Sequence, residues 1–368
     1  MKIGFDAKRA FHNTTGLGNY SRDLISILSR YYPDNQYHLY NPKKAKVNRL
    51  AIAGNMHVHL PKGFFEKLLP SFWRSKSIQK NLKKDQIDIF HGLSGELPIG
   101  MDKIGIKSVV SIHDLIFIRY PELYKPIDRK IYIKKNLKAA KTADKIVAIS
   151  EQTKKDIIKF LNVEPEKIEV IYQGCHQAFK KNYSSELKDE IRNKYTLPEH
   201  FLLNVGTIEP RKNALTIVKA IHRSDYKLVL IGKQTAYAEK IKKFIKKNKM
   251  ETQVFFLEGL DVTELAIVYQ LADIFIYPSI FEGFGIPIIE ALFSKTPVIS
   301  NGNGVFPEAG GDFSSYVSNA LDAKELREKI DKLSATDKAE NIQKSFEFAQ
   351  KFNDQTIAEK WIKLYESL

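Results

Sequence analysis

Short runs of branched and aromatic residues alternate along the chain with longer stretches whose apolar positions recur every three or four residues. In the first half the runs are KIGFDA (2–7), IDIFHG (87–92), KSVVSIHD (107–114) and KIVAIS (145–150). Their near-continuous apolar character predicts strands of a parallel sheet covered on both faces. Between the first two, Tyr20, Leu24, Ile27, Leu28 and Tyr31 share one side of a helix read from Asn19 to Tyr31. The second half repeats the scheme with FLLNVG (201–206), KLVLIG (227–232), QVFFLEG (253–259), DIFIYPS (273–279) and TPVISN (296–301). Helical patterns follow at Asn213 to Ile221, Thr263 to Leu271 and Pro287 to Phe293, and again from Glu325 to Leu368. Strands alternating with helices imply right-handed crossovers, and two such series imply an α/β protein of two Rossmann-like, doubly wound parallel-sheet domains. The polar stretch from Gln173 to Pro198 is poor in strand signals and holds the seam. The division expected is 1–178, then 179–345, with 346–368 as a terminal helical piece.

Composition narrows the class. A chain of 368 residues with 43% hydrophobic and 27% charged residues is neither disordered nor fibrous, and is long enough for two cores. The one cysteine, Cys175, allows no internal disulfide and fits a reducing compartment. The opening MKIGFDAKR lacks the apolar centre of a secretory leader, and no run approaches the ~20 apolar residues of a spanning helix. The expectation is a cytoplasmic protein that at most rests on the inner face of the cytoplasmic membrane.

Charge is distributed unevenly. Residues 1–180 hold 32 Lys/Arg against 17 Asp/Glu, while residues 181–368 hold 26 of each, so the whole excess of +15 lies in the first half. That half faces an anionic partner such as a phospholipid surface, a phosphorylated acceptor or nucleic acid, or else simply carries a solvated lysine-rich surface. Residues 60–84 combine seven Lys/Arg and one Glu with Phe64, Phe65, Leu68, Leu69, Phe72 and Trp73. Such a stretch can dock on an anionic leaflet. Pro61 and Pro70 interrupt it, and the aromatics could equally pack inside.

In open sheets ligands bind beyond the carboxyl ends of the strands, so the loops that follow strands carry the candidate chemistry. In FHNTTGLGNYSRD, Gly16 and Gly18 precede a helix and would let amides approach a phosphate; the third glycine of a dinucleotide fingerprint is missing, and a flexible turn is the alternative. In GTIEPRKN (206–213), Gly206 ends a strand and the adjacent Arg211 and Lys212 can neutralise a diphosphate, against the alternative of a solvated basic pair. In 278–300, Glu282 projects from a glycine-rich loop, Pro287 suits a first helical turn, and Glu290 lies one turn inside the helix. The amides of Phe284, Gly285 and Ile286 would meet a ligand there, and a partly buried Glu290 would accept the hydroxyls of a ribose diol. His113 and Asp114 end another strand, where a histidine is either structural or functional.

Taken in order, the glycine loop, IHD, AISE (148–151), GTIEPRKN, FLEG, LADIFIYPS and FEGFGIPIIEA resemble glycosyltransferase family 4, the retaining group of GT-B fold that includes mannosyltransferase-like group 1 enzymes. The resemblance spans essentially the whole chain. It implies that two domains face each other across a cleft, with the donor mainly on the second and the acceptor on the first, and that the final helix crosses back to the first domain. It implies that Glu282 and His113 contact the sugar, that Glu290 holds the ribose, and that Arg211, Lys212 and the loop at Gly16 grip the diphosphate. It further implies transfer of a hexose with retention from a GDP- or UDP-linked donor to a glycan or lipid-linked acceptor, with the leaving diphosphate taking the acceptor's proton. The family's Ser-rich stretch and Leu before Pro-Glu are replaced by NGNGVFPEAGG (301–311), although Pro307 and Glu308 are in place. No Asp-x-Asp and no metal-spaced His/Cys cluster occurs, so no metal or other cofactor is expected. The competing readings are a sugar-nucleotide epimerase on a similar fold and a polyanion-binding protein. A nucleic-acid partner lacks the basic-aromatic platform it would need.

Overall fold

Each apolar run becomes a strand slightly shorter than the run itself, because the ladder stops where the backbone leaves for the next loop. The computed structural model describes residues 1–336 and 339–368, which divide into two compact units: residues 1–173 with 353–368, and residues 174–352.

The first unit has strands β1 (Lys2–Asp6), β2 (Gln36–Tyr40), β3 (Met56–His59), β4 (Ile89–Gly92), β5 (Lys107–Ile112), β6 (Lys145–Ala148) and β7 (Ile168–Val170). They form one parallel sheet in the order β3-β2-β1-β4-β5-β6-β7. The second unit has β8 (Leu202–Val205), β9 (Leu228–Ile231), β10 (Val254–Leu257), β11 (Ile274–Tyr277), β12 (Val298–Asn301) and β13 (Ser315–Val317), again parallel, in the order β10-β9-β8-β11-β12-β13. Both sheets thus reverse their winding, between β1 and β4 in one and between β8 and β11 in the other. Ligands of such sheets sit in the crevice at that reversal.

In the first unit the helix Gly16–Tyr31 buries Leu24, Ile25 and Leu28 against the sheet, and the last helix, Asp354–Glu366, packs beside it with Ile357, Trp361 and Tyr365 buried. Each such side chain contributes about 1.5–3 kcal/mol on burial. A polar chain crosses this core: the Tyr20 hydroxyl lies 2.8 Å from Ser111 Oγ, which lies 2.8 Å from His91 Nε2, and His91 Nδ1 lies 2.7 Å from the Tyr365 hydroxyl. Every group in it is paired, as burial requires.

The unit boundaries fall at 173/174 and 352/353 rather than at 178/179 and 345/346. The turn Gln177–Lys180 belongs to the second unit because Phe179 packs on Tyr269 (ring centroids 5.5 Å apart). The helix Ala339–Ala349 stays there too, with Phe346 against Phe293 at 6.2 Å and Phe352 against Phe284 at 5.6 Å. The helical reading of residues 337 and 338 lies outside the described residues. Four strands escape the sequence reading. Histidines interrupt the apolar pattern of β2 and β3, and β7 and β13 are only three residues long.

Residues 60–84 break into short helices, Phe64–Leu68, Pro70–Phe72 and Ile78–Lys84, with a wide turn at Trp73–Ser77. Trp73 is fully buried, yet Phe64 is 77% and Phe65 75% exposed, and Leu68, Leu69 and Phe72 are exposed as well. Both readings of this stretch therefore apply, to different residues. No helix among the described residues is long and apolar enough to cross a membrane.

Candidate functional site

In the second unit, the loops after β8 and β11 bring opposite charges together at the reversal point. The chain leaves β8 through Gly206, whose φ of 142° suits glycine, and the Lys212 side chain passes beside it. A single turn, Pro210–Lys212, then presents Arg211 and Lys212. Asn213 pins this turn by donating to the carbonyls of Pro278 (3.3 Å) and Ala320 (2.5 Å). Ile280 N donates to the Arg211 carbonyl at 2.9 Å, which draws the loop after β11 alongside.

Glu282 is the centre of the cluster. Its Oε1 receives Lys212 Nζ at 2.6 Å, Arg211 Nη1 at 2.7 Å and the Tyr277 hydroxyl at 3.1 Å. Arg211 also donates to the Phe281 carbonyl (2.6 Å) and to Glu209 (2.7 Å), and Lys212 donates to the Tyr277 hydroxyl (2.5 Å). Burial alone would raise the Glu282 pKa, but Lys212 and Arg211 outweigh it and hold the carboxyl below its ordinary value. Burial likewise opposes the charge on Lys212, and Tyr277 and Glu282 keep its pKa above the usual ammonium range. Burial, then Glu282, pushes the Tyr277 phenol up to about 12, so it stays a donor. The sequence signals Arg211, Lys212 and Glu282 but not their mutual pairing, nor Tyr277 and Glu209, although both of these lie at the ends of the same two loops.

Beyond this cluster the helix Ile286–Phe293 starts at Gly285, whose φ is 110°, with Pro287 in the first turn. The first amides of a helix have no partner within it and favour an anion. Glu290 lies one turn in, where its Oε2 accepts the Tyr269 hydroxyl at 3.1 Å. Phe284 turns its ring into the core beside Phe352 and reaches the loop surface only through its backbone. The Gly206 amide is committed to the Ile231 carbonyl (2.8 Å), so this residue serves through its backbone conformation and not as a donor.

In the first unit His113 and Asp114 follow β5 and line a cavity of about 280 Å³ with Arg9, Glu96, Tyr124 and Lys135 among its walls. His113 Nε2 donates to the Leu93 carbonyl at 2.9 Å, and its ring meets Tyr20 edge-on at 4.5 Å. Burial pulls its pKa down to about 4 despite the Leu93 contact, so the ring is neutral at pH 7 and Nδ1 is an acceptor. Asp114 Oδ1 accepts the Ile116 amide (3.1 Å), fixing the turn. Glu96 holds Lys135 at 3.1 Å and Arg74 at 2.8 Å, and Arg74 also pairs with Asp6 at the end of β1. The two loop glycines differ. A Cβ on Gly18 would lie 2.0 Å from the Asn13 carbonyl, and its amide donates to Thr15, whereas Gly16 faces open space. Gly18 is thus a close-packing residue, and only Gly16 leaves room for a ligand.

Two family models cover most of the chain. Glycosyltransferase Family 4 matches residues 15–178, and Glycosyl transferases group 1 matches residues 188–351. The chain belongs to these glycosyltransferase families. It is 32% identical over 212 residues to the O-antigen chain mannosyltransferase RfbU of Salmonella typhimurium, covering 57% of this chain and 56% of RfbU. It is 29% identical over 266 residues to the serotype-specific mannosyltransferase WbdA of Escherichia coli, covering 69% of this chain and 32% of WbdA. The chain thus spans about half the length of the curated relatives it matches, or less. A crystal structure of Anabaena Alr3699/HepE in complex with UDP superposes with a TM-score of 0.74 at 18% identity, covering all of both chains. The fold of this family member is therefore GT-B. In the variant stretch 301–311, Pro307 and Glu308 lie in the short helix Phe306–Gly310, and Gly304 (φ 71°) supplies the turn before it.

Among the described residues, one group of side chains suits a metal ion: His38, His59 and Asp85, in the first unit. None of the three is among the residues of the two sites above.

Proposed function

We propose that this family member is a retaining, metal-independent hexosyltransferase that uses a nucleotide diphosphate sugar and builds cell-surface polysaccharide on a glycan or lipid-linked glycan. The observation that carries this reading is the half-buried trio Arg211–Lys212–Glu282 at the ends of β8 and β11. Glu282 and Glu209 together balance the two cations and hold them already oriented, so the cluster offers fixed N–H donors beside the first amides of the helix Ile286–Phe293. Charge grows on the β-phosphate as the glycosidic bond lengthens, and preorganised donors stabilise it without having to move. Glu282 then both steers the cations and meets the sugar, while Glu290, kept polar by Tyr269, accepts the ribose hydroxyls. The departing diphosphate oxygen takes the proton of the attacking hydroxyl, so no protein nucleophile enters.

On the first unit, His113 and Asp114 would hold an acceptor or sugar hydroxyl. A neutral imidazole whose Nε2–H is taken by Leu93 offers Nδ1 to such a hydroxyl. Gly16 would admit a phosphate to the start of its helix. The relatives' names, O-antigen chain and serotype-specific mannosyltransferase, favour a GDP-mannose-like donor and a surface glycan, and the UDP complex of the Anabaena protein keeps a UDP-sugar in contention. The exposed Phe64, Phe65, Leu68, Leu69 and Phe72, with the lysines of residues 60–84 about them, fit attachment to an anionic leaflet facing the cytoplasm.

A thermal-shift series with GDP, UDP and their sugars tests the donor site. A ligand at 100 times its Kd stabilises by about 2.7 kcal/mol. Arg211→Ala should lower turnover by about 10²-fold or more. Near-normal turnover in that variant, or no shift with any nucleotide, would end this reading.

A further inference from the structure

On the first sheet, β2 and β3 run parallel with His38 opposite His57 and Tyr40 opposite His59. The two-residue strand period puts all four rings on one face. His38 and His59 stack at 5.0 Å with Nδ1 of the former 2.9 Å from Nε2 of the latter. His59 Nδ1 lies 3.4 Å from Asp85 Oδ2, and that oxygen also accepts the Tyr40 hydroxyl at 2.8 Å. One donor atom from each of His38, His59 and Asp85 lies within 4.8 Å of the others.

Hydrogen bonding leaves one atom of this arrangement unaccounted for. His38 is buried, its Nε2 has no partner among the described residues, and the two stacked imidazoles share a single hydrogen bond. A buried polar atom left without a partner calls for a further ligand or an unusual role. Two imidazoles and a carboxylate form the borderline nitrogen and oxygen set that zinc takes at about 2.0–2.2 Å in tetrahedral geometry, with water completing the shell. Calcium would need six or more oxygens. The Tyr40 hydroxyl on Asp85 is the kind of outer contact that orients a ligating carboxylate.

We propose that His38, His59 and Asp85 bind one divalent transition-metal ion of the zinc class, and that this ion ties the far end of the segment 60–84 back to the two strands, β2 and β3, at its near end. His59 ends β3 immediately before that segment, Asp85 comes immediately after it, and His38 lies on the neighbouring strand β2. The ion would fix the neck of the segment that carries the exposed Phe64 and Phe65, and would take no part in sugar transfer. The proposal stands apart from the transfer reading, because its test requires no substrate.

The probe is Co²⁺, titrated into the full chain after chelation. The expected result is one equivalent bound with the strong visible absorption of a four-coordinate ion, displaced by Zn²⁺. His59→Gln and Asp85→Asn should each lose that signal, by at least tenfold in affinity, while His200→Ala, which removes an exposed histidine of the second unit, should keep it. Trp73 fluorescence checks that the variants remain folded, since this buried ring lies 6.4 Å from Tyr40. Zn²⁺ should also slow protease cleavage within residues 60–84 in the unsubstituted chain but not in His59→Gln. Four outcomes would each overturn the site: no stoichiometric uptake, uptake unchanged in both ligand variants, equal loss in His200→Ala, or cleavage that Zn²⁺ leaves unaltered.

Discussion

Acid should loosen the first unit through one buried imidazole, and the size of the effect follows from its surroundings. His91 is wholly buried, with both ring nitrogens engaged by Ser111 and Tyr365 and its ring 4.6 Å from Trp361. Burial, and then the nearby His113, pulls its pKa from 6.5 to about 3. A depressed folded-state pKa means that the unfolded chain binds the proton more readily. Stability from this residue is therefore complete above about pH 6.5 and is lost as the pH falls towards 3. Between pH 7 and pH 5 the loss from His91 alone is about 2 kcal/mol, a large share of the ~5–15 kcal/mol typical of a folded domain. The chain's two tryptophans, Trp73 and Trp361, both lie in the first unit, so urea unfolding followed by their fluorescence reports that unit selectively. His91→Gln, which cannot titrate, should be less stable at pH 7 yet lose about 2 kcal/mol less on going to pH 5. Parallel pH dependences in the two proteins would refute the assignment of this linkage to His91.

Three further outcomes are expected. Gly18→Ala should destabilise by about 1–3 kcal/mol because the new Cβ meets the Asn13 carbonyl, while Gly16→Ala should unfold like the parent and lose affinity for nucleotide sugar, both read by denaturant melts and thermal shift. Phe64→Ser with Phe65→Ser should weaken co-sedimentation with anionic liposomes about tenfold or more without changing the melting temperature, and equal sedimentation with neutral and anionic lipid would dismiss the docking surface. Initial rates of transfer should survive EDTA, and a loss restored by Mg²⁺ or Mn²⁺ would show that the two cations at Glu282 do not suffice.

The sheets were most legible where burial on both faces left an uninterrupted apolar run, as at β9 and β11. They were hidden where function or strand position placed polar side chains inward, as with His38 in β2, or where a strand is too short to have a period, as with β13. The helix after Gly285 could be read from its glycine and proline because those residues answer to backbone geometry alone. Which side chains of residues 60–84 would be buried could not, because Pro61 and Pro70 break the helical period and leave Trp73 in the core while Phe64 and Phe65 face outward. At the candidate donor site the residue types were visible but their relation was not. Nothing in the spacing of Arg211, Lys212 and Glu282 says that one carboxylate oxygen receives both cations, since that depends on how the loops after β8 and β11 meet. The division of labour between Gly16 and Gly18 likewise depends on where the Asn13 carbonyl turns.

The chain passes from the first unit to the second after Gln173 and returns at Asn353, so the second unit is an insertion within the first. During synthesis, residues 174–352 emerge as one continuous piece and can close their core unaided. The first unit must wait with a vacant seat beside the helix Gly16–Tyr31, and with His91 unpaired at Nδ1, until Trp361 and Tyr365 follow. Its waiting surface is apolar, and a ribosome stalled or a chain cut before Asn353 would leave one unit finished and its neighbour permanently open to chaperones, proteases and aggregation.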